Sequence, residues 1–170
     1  MVRDAADARG HVGRARVFDG AWRVVLRVGY RLQLAVWFVL RPRIRGAYVA
    51  VWHGERVLVI RNSYRRAFSF PAGGLKRGER PVDAAVRELI EEVGIDASPG
   101  ALRYVGVIVD PSRYAEDHAH VFELHCEEEP DLRIDGREVV WARFLHPEQA
   151  LERGVVRVVG RYLRRAGDFG

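Results

Sequence analysis

The segment from Gly73 to Ile95, GGLKRGERPVDAAVRELIEEVGI, constrains this chain more than any other. Gly73, Gly74 and Gly78 supply backbone freedom for a tight loop that can approach an ion or a phosphate without interference from a Cβ. The loop runs into a stretch of helical period. Pro81 suits a first turn and Gly94 a terminator, so a helix is expected over Pro81 to Val93. Val82, Ala85, Val86, Leu89 and Val93 form an apolar stripe for packing on a sheet, and the small Ala84 and Ala85 allow close approach. Glu88, Glu91 and Glu92 stand at i, i+3 and i+4, so three carboxylates project from one face. Like charges at this spacing cost a few tenths of a kcal/mol per pair. A divalent cation removes that repulsion, and Mg²⁺ is usually held by one or two carboxylates together with phosphates and waters. A solvated helix with a glutamate run explains the EE pair alone; it explains neither the glycines before the helix nor the one after it.

The rest of the chain falls into zones around this segment. Residues 1–19 are polar, rich in Ala and Arg and without clear period, which reads as a flexible lead-in. Residues 20–42 follow as an amphipathic basic helix, with Arg23, Arg27 and Arg31 on one face and Pro42 stopping it. The uninterrupted apolar run Leu34 to Leu40 is far too short to span a bilayer. With Trp22, Trp37 and Phe38 this helix has the make-up for contact with a membrane surface through residues 21–40; packing of its apolar side on the main domain, or on a second copy in a homodimer, is the reading preferred. Residues 43–170 form the domain proper. Ala47 to Trp52 and RVLVIR (Arg56 to Arg61) flank His53-Gly54-Glu55 as a hairpin. Phe68 to Phe70 reads as a short third strand, and further strands are expected at Leu102 to Val109, Ala119 to Cys126 and Val139 to Phe144. One helix or two short ones cover Pro147 to Arg165. Mixed strands with helices at intervals indicate one α/β (α+β) domain with a mixed sheet between helices.

Composition narrows the class further. Hydrophobic residues at 48% and charged residues at 30% are those of a globular protein. The one cysteine, Cys126, excludes an internal disulfide framework and, with an N-terminus unlike a signal peptide, points to the cytoplasm. The net charge of +5 comes almost wholly from arginine, with Lys76 the single lysine. Such a balance suits an anionic partner such as a nucleotide, a nucleic acid or a lipid headgroup. These arginines are spread along the chain rather than gathered in a stripe, so a solvated Arg-rich surface is at least as good a reading and a specific nucleic-acid partner is not expected.

Gly73, five residues, Glu79, seven residues, Arg87-Glu88-Leu89, one residue, Glu91-Glu92, one residue, Gly94-Ile95 matches the signature of the Nudix hydrolases at every defined position, so the chain resembles that family. The likeness extends loosely from about Arg45 to Phe144. It implies an α/β/α sandwich, preceded here by the extra N-terminal helix, and hydrolysis of a diphosphate linkage with Mg²⁺ or Mn²⁺. It further implies that Glu88, Glu91 and Glu92 hold the metal with the Ala72 carbonyl, and that Glu79 supports the loop by pairing with Arg87. Pro71-Ala72-Gly73-Gly74 departs from the commonest Pro-Gly-Gly-Gly form, a departure also familiar in the family.

Outside this box the substrate clues are thinner. Pro111, sixteen residues past Ile95, resembles the proline marker of the ADP-ribose-cleaving branch, though any turn can hold a proline. Glu116-Asp117 resembles the acidic loop that supplies a general base in that branch, or is simply solvated. Glu138 is a second acidic candidate. Arg61, Arg65 and Arg66 have the chemistry to meet substrate phosphates; Tyr64 or Phe68 either stacks on a base or packs. ADP-ribose or a nucleotide sugar is the favoured substrate class, with (d)NTP or RNA 5′-end hydrolysis, or a non-catalytic nucleotide-binding domain, as alternatives. His118, His120, His125 and Cys126 lack the spacing of a closed zinc site.

Overall fold

The computed structural model describes residues 7–40, 43–111 and 116–167. Pro42, Ser112 and the first six residues lie outside that set. Helix α1 (Asp7–Leu40) leads in. It begins well inside the segment expected to be flexible, where Ala8, Arg9, Arg14, Ala15 and Arg16 are strong helix formers. Then come β1 (Arg43–His53), β2 (Arg56–Asn62), β3 (Ala72–Gly74), α2 (Pro81–Val93), β4 (Arg103–Pro111), β5 (Glu116–Cys126), β6 (Val139–Leu145), α3 (Pro147–Glu152) and α4 (Arg157–Gly167). The six strands make one mixed sheet in the order β4-β5-β1-β2-β6, with β3 pairing beside β1. β1 runs parallel to β5 over its whole length and antiparallel to β2 and β3.

Strand alternation sends apolar side chains to both sheet faces. On one face Val49, Val51, Leu58, Ile60, Phe122 and Leu124 meet Ala84, Ala85, Leu89 and Val93 of α2. On the other, Ala50, Val57, Val59 and Val121 meet Val158, Val159, Tyr162 and Leu163 of α4, with Ala150 of α3. The result is the α/β/α sandwich expected from the sequence. α2 ends at Gly94, left-handed at φ 73°, and the Ile95 N–H returns to the Leu89 carbonyl. A Cβ at Gly94 would also press on Arg133.

Two expectations need correction. Phe68 to Phe70 is not a strand of its own: it makes isolated bridges, Ser69 to Ile60 and Phe68 to Val155. The segment that pairs with β1 comes just after Pro71, which breaks the run. Glu116-Asp117 is not loop but the start of β5, held by pairing with Arg43 and Ile44. The final helical stretch is two helices, the second of the forms expected. Among the described residues no helix is long and apolar enough to cross a membrane. α1 nonetheless leaves Val24, Val28, Leu32, Val36 and Val39 exposed along one side.

Candidate active site

β1 and β5 begin, β2 ends and β6 begins at one end of the sheet, and the glycine loop crosses that end. A cavity of about 1270 Å³ opens there, lined by Gly73 to Glu79, Glu88, Glu91, Asn62, Tyr64, Arg65, Asp117, Glu138 and one face of α1.

Arg87 organises the acidic face. Its Nε and Nη2 donate to Glu79 at 2.9 and 3.1 Å, and Nη2 also donates to the Gly74 carbonyl at 3.1 Å. Nη1 reaches both Glu88 and, at 3.3 Å, Glu91. Glu79 also accepts the Lys76 N–H at 2.7 Å, so one ion pair closes the loop onto the helix. The Arg87 hydrogen bonds, then the Lys76 N–H, hold the Glu79 carboxyl at about 2, below its ordinary 4.5. Because this value is depressed on folding, the stabilisation is complete above about pH 4.5 and is lost as the pH falls through about 2. The stability difference between wild type and Glu79→Gln is expected to be constant near neutrality and to vanish close to pH 2, as read by chemical denaturation at a series of pH values.

Glu88 and Glu92 are buried, and Glu91 is exposed. The Glu88 carboxylate lies against the Gly73 backbone so closely that any Cβ at Gly73 would overlap it. Glu92 accepts the Ala72 N–H at 2.8 Å and Asn62 Nδ2 at 3.0 Å. Burial raises the Glu88 carboxyl and pushes that of Glu92 up to about 8. Glu138 adds its repulsion to both and accepts the Tyr64 hydroxyl at 3.0 Å.

Asp117 enters the cleft from β5. It accepts the Tyr48 hydroxyl at 3.0 Å, while its other oxygen is buried with no hydrogen-bond partner among the described residues. Burial raises its carboxyl. Glu116, one residue earlier, turns to the opposite strand face and pairs with His118 at 2.6 Å and Arg43 at 3.5 Å. The structure therefore brings Asp117, and not Glu116, into the cleft.

Of the other candidates, Gly73, Gly74, Ala72, Arg65 and Tyr64 line the cleft, and Arg61, Arg66, Phe68 and Pro111 do not. Arg61 shares the strand face of Val57 and Val59, away from α2, and its guanidinium lies 5.9 Å from the Phe68 ring. Phe68 packs edge-on against Trp141 at 5.1 Å. Pro111 ends β4 at the exposed edge of the sheet. His118, His120 and His125 take separate partners, respectively Glu116, Tyr104 and Glu123. Asn62, Tyr48 and the α1 wall also line the cleft and were not expected there from the sequence. Asn62 had a signal: it follows Leu58 and Ile60 at inward-facing parity, where a polar side chain needs a reason.

The Nudix domain model matches residues 42–165 of the chain. The chain belongs to the Nudix family. An RNA pyrophosphohydrolase from Legionella pneumophila (strain Corby) is 38% identical over 73 residues, which is 43% of this chain and 35% of that protein. One from Bartonella clarridgeiae is 40% identical over 50 residues, 28% of this chain and 29% of that protein. The matched segments thus span about a third of those relatives. Among solved Nudix-type folds, the MutT protein of Methanosarcina mazei Go1 superposes with TM-score 0.63 at 20% identity, covering 75% of this chain and 94% of that one. An Ap4A hydrolase of C. elegans gives 0.58 at 19%, covering 74% and 96%. At such identities the structural likeness speaks for the fold.

Nudix hydrolases generally use divalent metals, and the donor chemistry here fits one. Glu88, Glu91 and Glu92 offer only hard carboxylate oxygens, the set that suits Mg²⁺ or Mn²⁺ rather than softer ions. Two of them are buried and repelled by Glu138. Among the described residues no three such side chains converge, because Glu88 and Glu91 both turn to Arg87 while Glu92 turns to Ala72 and Asn62.

Proposed function

We propose that this chain is a pyrophosphohydrolase that cleaves the diphosphate linkage of a nucleoside diphosphate joined to another group, with ADP-ribose or a nucleotide sugar as the favoured class. The observation that carries the reading is the glutamate face of α2, folded against a glycine loop at the mouth of a cavity far larger than a diphosphate needs. Glu88, Glu91 and Glu92 would hold Mg²⁺ or Mn²⁺. Such an ion, when bound, polarises phosphate oxygens and lowers the pKa of a water. Arg87 holds the loop, Glu88 and Glu91 in one unit, and the loop backbone leaves room for phosphate. Asp117, its carboxyl raised by burial, would accept a proton from the attacking water. Asp117→Asn is expected to lower kcat by ~10²–10⁴-fold with little change in KM, by steady-state kinetics.

The test of the reading is a panel of ADP-ribose, nucleotide sugars, dinucleoside polyphosphates, (d)NTPs and 5′-triphosphorylated RNA with Mg²⁺ or Mn²⁺, products identified by mass. RNA enters as one arm because of the names borne by the Legionella and Bartonella relatives. Cleavage of a nucleoside diphosphate derivative into two phosphorylated products supports the proposal. Cleavage of triphosphates alone overturns the substrate class, and no cleavage on any arm overturns the activity.

A further inference from the structure

Helix α1 lies outside the residues that the family model matches, yet it walls the cleft. Trp22, Leu26, Tyr30, Gln33 and Trp37 line the same cavity as Gly73, Glu88 and Glu91. Their spacing of three or four residues puts them on one helical face. From Trp22 to Trp37 that face is ~22 Å long at 1.5 Å per residue.

Contacts along the helix fix how it crosses the mouth. Arg23 donates to the Gly136 carbonyl at 3.1 and 2.6 Å, and Arg27 to the Ser63 carbonyl at 3.0 Å. Ser63 in turn bonds the Glu138 carbonyl, so the Trp22 end sits beside Glu138. Midway, Tyr30 meets Tyr64 with ring centroids 5.1 Å apart, and the Arg65 guanidinium lies 5.2 and 5.7 Å from the two rings. The Trp37 end stands just before β1, whose Gly46 pairs with Gly74 of the glycine loop. α1 is thus held at several points along an open groove.

The chemistry of this wall selects an occupant. No acidic residue falls between Gly20 and Leu40, so the wall does not repel a nucleotide and offers no carboxylate to sugar hydroxyls. Among the α1 residues that line the cleft, Gln33 and the Tyr30 hydroxyl supply the only side-chain hydrogen-bonding groups outside the indoles. The remainder is aromatic and aliphatic, and Trp22 is 52% exposed. Aromatic side chains flanked by a guanidinium bind bases through their π-faces, with little dependence on which base.

We infer that the cleft face of α1 is the surface on which the substrate's nucleobase stacks, so that the appended helix selects base-bearing diphosphates while the glutamate face acts on the linkage. This rests on the reading of the cleft as a nucleotide site. The test uses the full-length chain and the pair Trp22→Ala/Trp37→Ala, with Trp22→Leu/Trp37→Leu as a second pair that keeps apolar bulk without the indole faces. KM for the best nucleotide substrate is expected to rise about tenfold or more at unchanged kcat, in line with the ~1–3 kcal/mol per stacked base seen on removing such aromatics. Inhibition by base-free linear tripolyphosphate is expected to stay as in wild type. A second readout does not need turnover. ADP is expected to quench wild-type tryptophan fluorescence and to leave the variant unquenched, because Trp52 is bonded to Tyr162 and Trp141 packs on Phe68, both away from the cleft. An unchanged nucleotide KM, an equal effect on tripolyphosphate, or quenching that survives in both variant pairs overturns the inference. If nothing on the substrate panel is cleaved, the proposed activity fails and the ADP quench alone decides this inference.

Discussion

Glu92→Gln is expected to lower kcat/KM by more than about 100-fold while leaving the protein as stable as wild type or more so. The two effects come from one geometry. Glu92 is buried, with the Ala72 N–H and Asn62 as its hydrogen-bond donors and two other glutamates repelling it. Removing a single neutral donor at a reacting centre typically costs ~10²–10³-fold, and a charged group that would hold the ion is worth at least that. In the fold, the same charge is an expense, because a carboxylate taken out of water is disfavoured. Glutamine keeps the shape and the acceptor for Ala72, and the Asn62 amide can turn to accept the new N–H. Steady-state kinetics and thermal denaturation on the same preparation check both halves. A large loss of stability would mean that Glu92 is held there for structure.

Gly73→Ala is expected to be as damaging by a different route. An alanine Cβ would occupy the space of the Glu88 carboxylate, so either that side chain leaves its place or β3 moves. Overpacking of this kind typically costs ~1–3 kcal/mol. A displacement of about 1 Å in a catalytic group can cost ~100-fold in rate. Lower kcat/KM is therefore expected together with a lower denaturation midpoint, whereas Gly74→Ala, with open space around its Cβ, is expected to be milder on both counts. Equal effects at the two positions would show that loop flexibility, rather than the contact with Glu88, is what the glycines provide.

Much of this was legible in the sequence because it is local. Pro81, Gly94 and the stripe ending in Val93 bound α2 to the residue, and the i, i+3, i+4 spacing gives the glutamate face directly. The Glu79–Arg87 pair was implied by the family resemblance, and a loop that folds back onto the helix forms it. What the sequence does not carry is which strand face meets which helix. Arg61 and Asn62 are neighbours, yet one residue of alternation sends the first to the Phe68 side and the second to Glu92. Glu116 and Asp117 separate for the same reason. The α1 wall was illegible for a further reason: its periodicity gives an amphipathic helix, and only tertiary contacts through Arg23, Arg27 and Tyr30 say what that helix lies against.

In the proposed mechanism the glutamate face of α2 drives cleavage of a nucleotide diphosphate linkage. This role is tested most directly by incubating wild type and Glu92→Gln side by side with the best substrate of the panel in ¹⁸O-water, with Mg²⁺ and with chelator, and weighing the products. Wild type with Mg²⁺ alone is expected to give two phosphorylated products, one of them carrying a single ¹⁸O. Full turnover by Glu92→Gln, or by wild type in chelator, would contradict that role.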